Sequence, residues 1–288
     1  MQSDYPDTIR RLVDAYPTLT PELQKAARFI VENPEKIGLN SMRNVARDAG
    51  VKPATITRLT KSLGFADYER LREPFRQRLR SQIPGFSARL DGVRKRIETG
   101  DSTLLQDLRA SEVANIQQSL CDENLAVLDA AAETLNSSSE VYVLGLRGAH
   151  APAFLFHYAY QLVQRNSRFL DTRAGIFADQ LRDIGPDDSL LVVSFPPYTQ
   201  LTIDAVEYAA HAKAKIIAVT DSIVSPAARS AAHTIITANQ SPSFYHSLTG
   251  AVSVIQALLT ILATKAGGDA VEILEETEKQ LSRISAYW

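Results

Sequence analysis

The 288 residues, 45% of them apolar, are enough for two domains with a sizeable core in the larger. The one cysteine, Cys121, excludes an internal disulfide and suits a reducing cytosol. The net charge of −2 hides a division of sign: residues 1–100 carry 19 Lys and Arg against 12 Asp and Glu, and the remainder carries 12 against 21. This is +7 followed by −9, the electrostatic footprint of a nucleic-acid reader joined to an acidic module. The opening MQSDYPDTIRR has no apolar signal core. The longest apolar stretch, Ala251–Ala263, is interrupted by Ser253, Gln256 and Thr260 and is too short to span a bilayer. It reads as a buried helix, and a cytoplasmic protein without a membrane partner is expected.

In chain order, Thr20–Asn33 is the first clear helix, with Thr20 as cap, Pro21 in the first turn and Pro34 after the end. Leu23, Ala26, Ala27 and Ile30 form its packing face. Asn40–Phe65, NSMRNVARDAGVKPATITRLTKSLGF, then reads as two short helices around a tight turn. Met42, Val45, Ala46 and Ala49 share one face of the first helix, and Gly50 suits the left-handed residue that ends it. Pro53 opens the second helix, where a missing N–H costs nothing. Ile56, Leu59 and Leu63 face inward, leaving Thr55, Thr57, Arg58 and Lys61 to point out, with Lys52 just ahead of them. A helix-turn-helix lays such a face in the DNA major groove, where arginine reads guanine and the others hold bases or phosphates. A helical hairpin with a merely solvated basic face is the alternative. The charge division favours double-stranded DNA as partner. Tyr68–Arg80 follows as a helix that Pro74 must kink or bound, and Ile83-Pro84-Gly85 breaks the pattern. An all-α domain is therefore expected over residues 1–80.

Residues 81–138 read as a helical connector ending at Ser137-Ser138-Ser139. From 139 to 288 the chain alternates short apolar strands with helices. Val141–Leu144, Phe169–Leu170, Leu190–Ser194, Ile216–Thr220 and Thr234–Thr237 are the strands, and Ala151–Gln164, Thr199–Ala212 and Leu248–Lys265 the helices. This alternation predicts an α/β domain with a parallel sheet flanked by helices. Ligands of such sheets bind at the carboxyl ends of strands beside the switch in strand order, which selects the loops Gly145–His150 and Phe195–Thr199.

The order of parts resembles the RpiR-type transcriptional regulators, which join a helix-turn-helix domain to a sugar isomerase (SIS) domain. The resemblance covers nearly the whole chain. Its carriers are VARDAGVKPATITRLTKSLGF at 45–65, VYVLGLRG at 141–148, FADQLRDIGPDDSLLVVSFPPYTQLT at 177–202 and KIIAVTDSIVSPAARSAAHTII at 215–236. It implies a sheet domain that dimerises and binds a metabolite, often a phosphorylated sugar. The common SIS pattern Ser-x-Ser-Gly-x-Thr stands here as Ser194-Phe195-Pro196-Pro197-Tyr198-Thr199. Ser194 and Thr199 match, so the family's ligand-binding role carries to them. Pro196 and Pro197 remove a hydroxyl and two backbone donors of the kind that cradle phosphate. Arg147 compensates as a charged donor. Gly145, Arg147, His150, Ser194, Tyr198 and Thr199 are the ligand-binding candidates, and the expected effector is an anion, a sugar phosphate or sugar acid or another carboxylate.

Catalysis is not expected. An aldose–ketose isomerase needs a carboxylate base, and no glutamate falls in either loop. Of the histidines after the first strand, His157 reads as packed and His150 as close enough to touch a ligand. Five scattered histidines and one cysteine lack metal-ligand spacing, and no cofactor is expected. A dinucleotide site at Gly145-x-x-Gly148 with Asp171 as the ribose acid lacks the third glycine. The sequence thus predicts a ligand-responsive regulator that acts as a homodimer or tetramer on an inverted-repeat operator. A sugar-phosphate isomerase with an accessory helical domain is the alternative, and a ligand-blind structural DNA binder the third.

Overall fold

The computed structural model describes residues 5–82 and 85–286. The chain forms two compact units, Met1–Arg89 and Leu90–Trp288. In the break expected at Ile83-Pro84-Gly85, Ile83 and Pro84 lie outside the described residues.

The first unit is all helical: α1 (Tyr5–Ala15), α2 (Pro21–Glu32), α3 (Pro34–Leu39), α4 (Met42–Asp48), α5 (Pro53–Ser62) and α6 (Tyr68–Gln82). Sequence periodicity revealed α2, α4, α5 and α6 but not α1, in which only Thr8 and Leu12 are buried, nor the six-residue α3. The core joins Ala26, Ala27 and Ile30 of α2 to Val45 and Ala46 of α4, Ile56 and Leu59 of α5, and Leu71 and Phe75 of α6. Each large aliphatic side chain buried here contributes about 1.5–3 kcal/mol. Tyr68 secures α6 by donating its hydroxyl to the Asn40 carbonyl at 3.1 Å, and Arg72 donates Nε to the Gly38 carbonyl at 3.1 Å. The helix runs through Pro74, which is buried.

The second unit begins with α7 (Phe86–Glu98, which starts within the first), α8 (Leu104–Ser119) and α9 (Asp122–Asn136). Next come β1 (Val141–Gly145), α10 (His150–Tyr160), β2 (Ser167–Leu170), α11 (Phe177–Gln180), β3 (Ser189–Ser194), α12 (Gln200–His211), β4 (Lys215–Thr220), β5 (His233–Ile236), α13 (Thr249–Ala266) and α14 (Gly268–Arg283). The five strands are all parallel, in the order β2-β1-β3-β4-β5. β1 and β3 are buried along their whole length, which explains their unbroken apolar runs. Val141, Val143, Leu191, Val193, Ile217 and Val219 pack under α9, α10 and α13. Leu144, Leu190, Val192, Ile216 and Ala218 face the other way, with Val206 and Ala209 of α12.

α13 matches the expected helix Leu248–Lys265 to within one residue at each end and contains the apolar stretch Ala251–Ala263. Its 18 residues, of mean hydropathy 1.4, meet the length and composition of a membrane span. Yet Ala251, Val254, Ile255, Leu258 and Leu262 are buried in the sheet's core beside α9 and α10, so it is a core helix of this unit.

Strand order reverses between β1 and β3, and the crevice at such a reversal opens at their carboxyl ends, Gly145 and Ser194. Gly145 permits α10 to start directly over β1: a Cβ there would lie 2.3 Å from the Ala149 carbonyl oxygen and 2.5 Å from the Ala153 Cβ. Gly145→Ala should cost about 1–3 kcal/mol by overpacking, read as a lower calorimetric transition of the full chain. Gly92→Ala, in α7 where a Cβ meets nothing within 4 Å, should be neutral or stabilising. Equal transitions for the two variants would contradict the close approach at Gly145.

Candidate functional site

The α4–turn–α5 element is closed by Gly50, whose φ is +63°. The Gly50 N–H donates to the Arg47 carbonyl at 3.0 Å and the Val51 N–H to the Ala46 carbonyl at 2.9 Å, ending α4 in the left-handed manner that glycine favours. From α2, Lys25 Nζ donates to the Gly50 carbonyl at 2.9 Å and clamps the turn. Lys52 stands in extended conformation at the cap of α5, and Pro53 is the first helical residue. Ile56, Leu59 and Leu63 face the core.

Thr55 requires a correction. Expected to point outward, it is only 3% exposed. Position 55 is one turn before Leu59, and α5 packs on both α2 and α4, so its buried face is wider than a single stripe. Thr57 is half-buried, with its hydroxyl 3.2 Å from the Met42 sulfur. Lys52, Arg58 and Lys61 are exposed, and none of their side chains makes a hydrogen bond or ion pair among the described residues. Ala54, which sequence reasoning passed over, takes the exposed first-turn position that Thr55 does not. α5 therefore presents Lys52, Ala54, Arg58 and Lys61 to solvent with unengaged cationic tips, the chemistry that meets phosphates and base edges.

In the second unit three segments meet at the carboxyl edge of the sheet. After β1, Arg147 is exposed with φ +57°, and its guanidinium makes no hydrogen bond or ion pair among the described residues. At Gly148 a Cβ would lie 1.9 Å from the Tyr245 hydroxyl, so the segment ahead of α13 presses onto this loop. That segment is held from α8: Asn115 Nδ2 donates to the Gln240 carbonyl at 2.7 Å and Ser111 Oγ donates to it at 2.8 Å. Ser247 Oγ donates to Glu112. Tyr245 stacks on His246 at 4.3 Å between ring centroids, and His246 lies 6.1 Å from Phe195 of the loop after β3.

Ser194 is buried, and its carbonyl accepts the Thr220 hydroxyl at 2.8 Å. The Tyr198 hydroxyl donates to Asp221 Oδ1 at 2.9 Å, tying the loop after β3 to the end of β4. Burial pushes the Asp221 carboxyl above its usual range, and no Lys or Arg pairs with it among the described residues. Burial first and the Asp221 charge second push the Tyr198 phenol far up, so it stays a donor. Thr199 takes the cap position of α12 without a side-chain capping bond. His150 stands apart: its ring meets Phe169 of β2 edge-on at 5.1 Å and lies parallel to Phe154 at 6.0 Å. These contacts turn it toward β2, whereas Tyr198 is tied to β4, on the other side of the β1–β3 pair. His157 packs on Phe154 and Phe169 and hydrogen-bonds Ser167 at 2.9 Å. Asp171, weighed as a ribose acid, is held by Arg173 at 2.8 Å. Among the described residues no group of three or more His, Cys, Asp or Glu is placed to hold a metal.

The helix-turn-helix domain of the rpiR family matches residues 8–82, and the SIS domain matches residues 134–261. The chain belongs to the RpiR family. This RpiR-family protein is an HTH-type transcriptional regulator with a SIS domain. It is 23% identical over 275 residues to an uncharacterized HTH-type transcriptional regulator of Caldanaerobacter subterraneus subsp. tengcongensis, covering 92% of this chain and 93% of that protein. Another uncharacterized HTH-type transcriptional regulator, from Thermotoga maritima, is 23% identical over 210 residues, 72% of this chain and 71% of that protein. The sugar isomerase domain of an RpiR transcription factor from Sphaerobacter thermophilus matches with a TM-score of 0.58 at 25% identity, over 62% of this chain and 99% of that one. NanR of Vibrio vulnificus, solved in complex with ManNAc-6P, shares the fold over 97% of this chain and 100% of its own, with a TM-score of 0.61 at 17% identity.

In this RpiR-family protein, Asp221 and the Tyr245-His246 pair are the residues at the carboxyl edge that sequence reasoning missed. Asp221 was findable, since KIIAVTD ends a strand just as VYVLG and LLVVS do. Nothing local marks Tyr245 and His246, which reach the edge through α8. A carboxyl whose folded pKa is raised costs stability above that pKa, and the cost disappears as pH falls through it toward the unfolded value. Asp221→Asn should therefore raise the melting temperature of the unliganded protein at pH 7.5, by a margin that shrinks toward pH 4. A lower melting temperature at pH 7.5 would show that the charge stabilises the fold.

Proposed function

We propose that this RpiR-family regulator is a cytoplasmic, non-catalytic sensor that binds an inverted-repeat operator as a homodimer or higher oligomer and responds to an anionic metabolite, a sugar phosphate or sugar acid. Lys52, Thr57, Arg58 and Lys61 are the DNA contacts, with Arg58 reading bases and the lysines holding phosphates. Arg147 carries the effector reading. It occupies a left-handed backbone position that costs a side-chain-bearing residue about 1–2 kcal/mol, and it sits unpaired on the loop at the reversal of strand order. An exposed guanidinium held there fits a phosphate or carboxylate. Ser194, Tyr198 and Thr199 line the facing loop, and Gly145 sets where the first loop begins. NanR's complex with ManNAc-6P supports a sugar phosphate as the class to test first. The effector acts by binding one arrangement of the paired recognition helices more tightly than another.

The test is binding to DNA upstream of the protein's own gene. Arg58→Ala should weaken specific binding by roughly 10–100-fold, the loss of about 1–3 kcal/mol of base contact. Arg283→Ala, on exposed α14, should change it by less than about twofold. Fluorescence anisotropy reads both, and equal losses would contradict the placement of α5 in the groove.

A further inference from the structure

Resting on the effector reading above, we propose that Asp221 and Tyr198 form a subsite that accepts a hydroxyl group of the effector. A polyhydroxylated anion then binds with its hydroxyls at the β4 edge and its charged group at the Arg147 loop.

The argument begins with acceptor capacity. An ionised carboxylate offers about four lone-pair sites. The Tyr198 hydroxyl donates to Asp221 Oδ1 at 2.9 Å, and the Thr220 hydroxyl lies 3.2 Å from the same oxygen. No side chain among the described residues donates to Oδ2. The carboxylate is half-buried and makes no ion pair among the described residues, although the Arg229 charge reaches the Tyr198 phenol bonded to it. Burial of this kind costs stability that an amide would relieve. A second group beside it is also unengaged. Thr237 is 1% exposed, and its hydroxyl has no hydrogen-bond partner among the described residues. It lies one step past the Thr220–Ile236 register pair, so it stands across from Asp221 at the sheet's edge, and its N–H donates to the Thr220 carbonyl at 2.8 Å.

The neighbouring loop sets the sign of what binds. Pro196 and Pro197 present no N–H, so that turn offers a phosphate no backbone donor, and the Asp221 charge repels one. A sugar hydroxyl suits the same place, because it donates to Oδ2 and accepts nothing that the prolines fail to give. The anionic end of the effector is left to Arg147, on the other loop of the crevice.

The test uses the full-length protein and titration calorimetry with glucose 6-phosphate, fructose 6-phosphate, N-acetylmannosamine 6-phosphate, 6-phosphogluconate and gluconate, with inorganic phosphate as control. At least one sugar-based probe should bind the unaltered protein. Asp221→Ala should weaken that probe about tenfold or more, and Tyr198→Phe should weaken it less, in the same direction. Asp221→Ala should leave inorganic phosphate unchanged or bound more tightly, because a negative charge has gone. Asp221→Asn, which keeps the shape, guards against a folding defect, and unliganded melting curves check all variants. A sugar probe lost on Arg147→Ala but unaffected by all three Asp221 and Tyr198 changes would overturn the hydroxyl subsite and leave the effector reading intact. Failure of every sugar-based probe to bind the unaltered protein would overturn both.

Discussion

The reversal of strand order between β1 and β3 is the constraint on which the sheet unit of the molecule depends. Parallel strands need helical crossovers, and when the chain passes from β2 back across β1 to β3 the crossovers leave opposite faces of the sheet. The loops at the carboxyl ends of β1 and β3 then diverge and leave a crevice between them. Gly145 lets α10 begin without delay over β1, which fixes the span in which Arg147 must turn. Its positive φ is the local cost of that short route. The Tyr198–Asp221 bond fixes the other wall by fastening the loop after β3 to the end of β4.

Electrostatics divides the labour between the two units. The exposed face of α5 carries three cations with no protein partner among the described residues, as a surface that must exchange water and counterions for phosphates requires. The edge of the sheet instead mixes Arg147 with the Asp221 carboxylate, neither of which makes an ion pair among the described residues. A site built only for phosphate has no use for the carboxylate. A site built for a charged polyol has a use for both.

Much of this was legible in the sequence, for identifiable reasons. β1, β3 and β4 stood out because they are almost wholly buried and so read as apolar runs bounded by turns. The turn of the helix-turn-helix stood out because Gly50 and Pro53 have few other uses at that spacing. Thr55 was misjudged because a one-stripe view of α5 ignores α2, which packs on it as well as α4. His150 follows β1 as expected but meets Phe154, four residues on in α10, and Phe169 of β2, the latter a contact across 19 residues of sequence that periodicity does not encode. Tyr245 and His246 reach the crevice only because α8, over a hundred residues earlier in the chain, grips Gln240 and Ser247.

The central claim is that one chain couples an operator to a metabolite. The most direct measurement is anisotropy of full-length protein on the DNA upstream of its own gene, across a salt series, with and without a panel of sugar phosphates and organic acids. The account predicts sequence-specific binding that weakens steeply with salt and is changed by at least one anionic polyol. Salt-sensitive binding indifferent to both DNA sequence and every compound would contradict it.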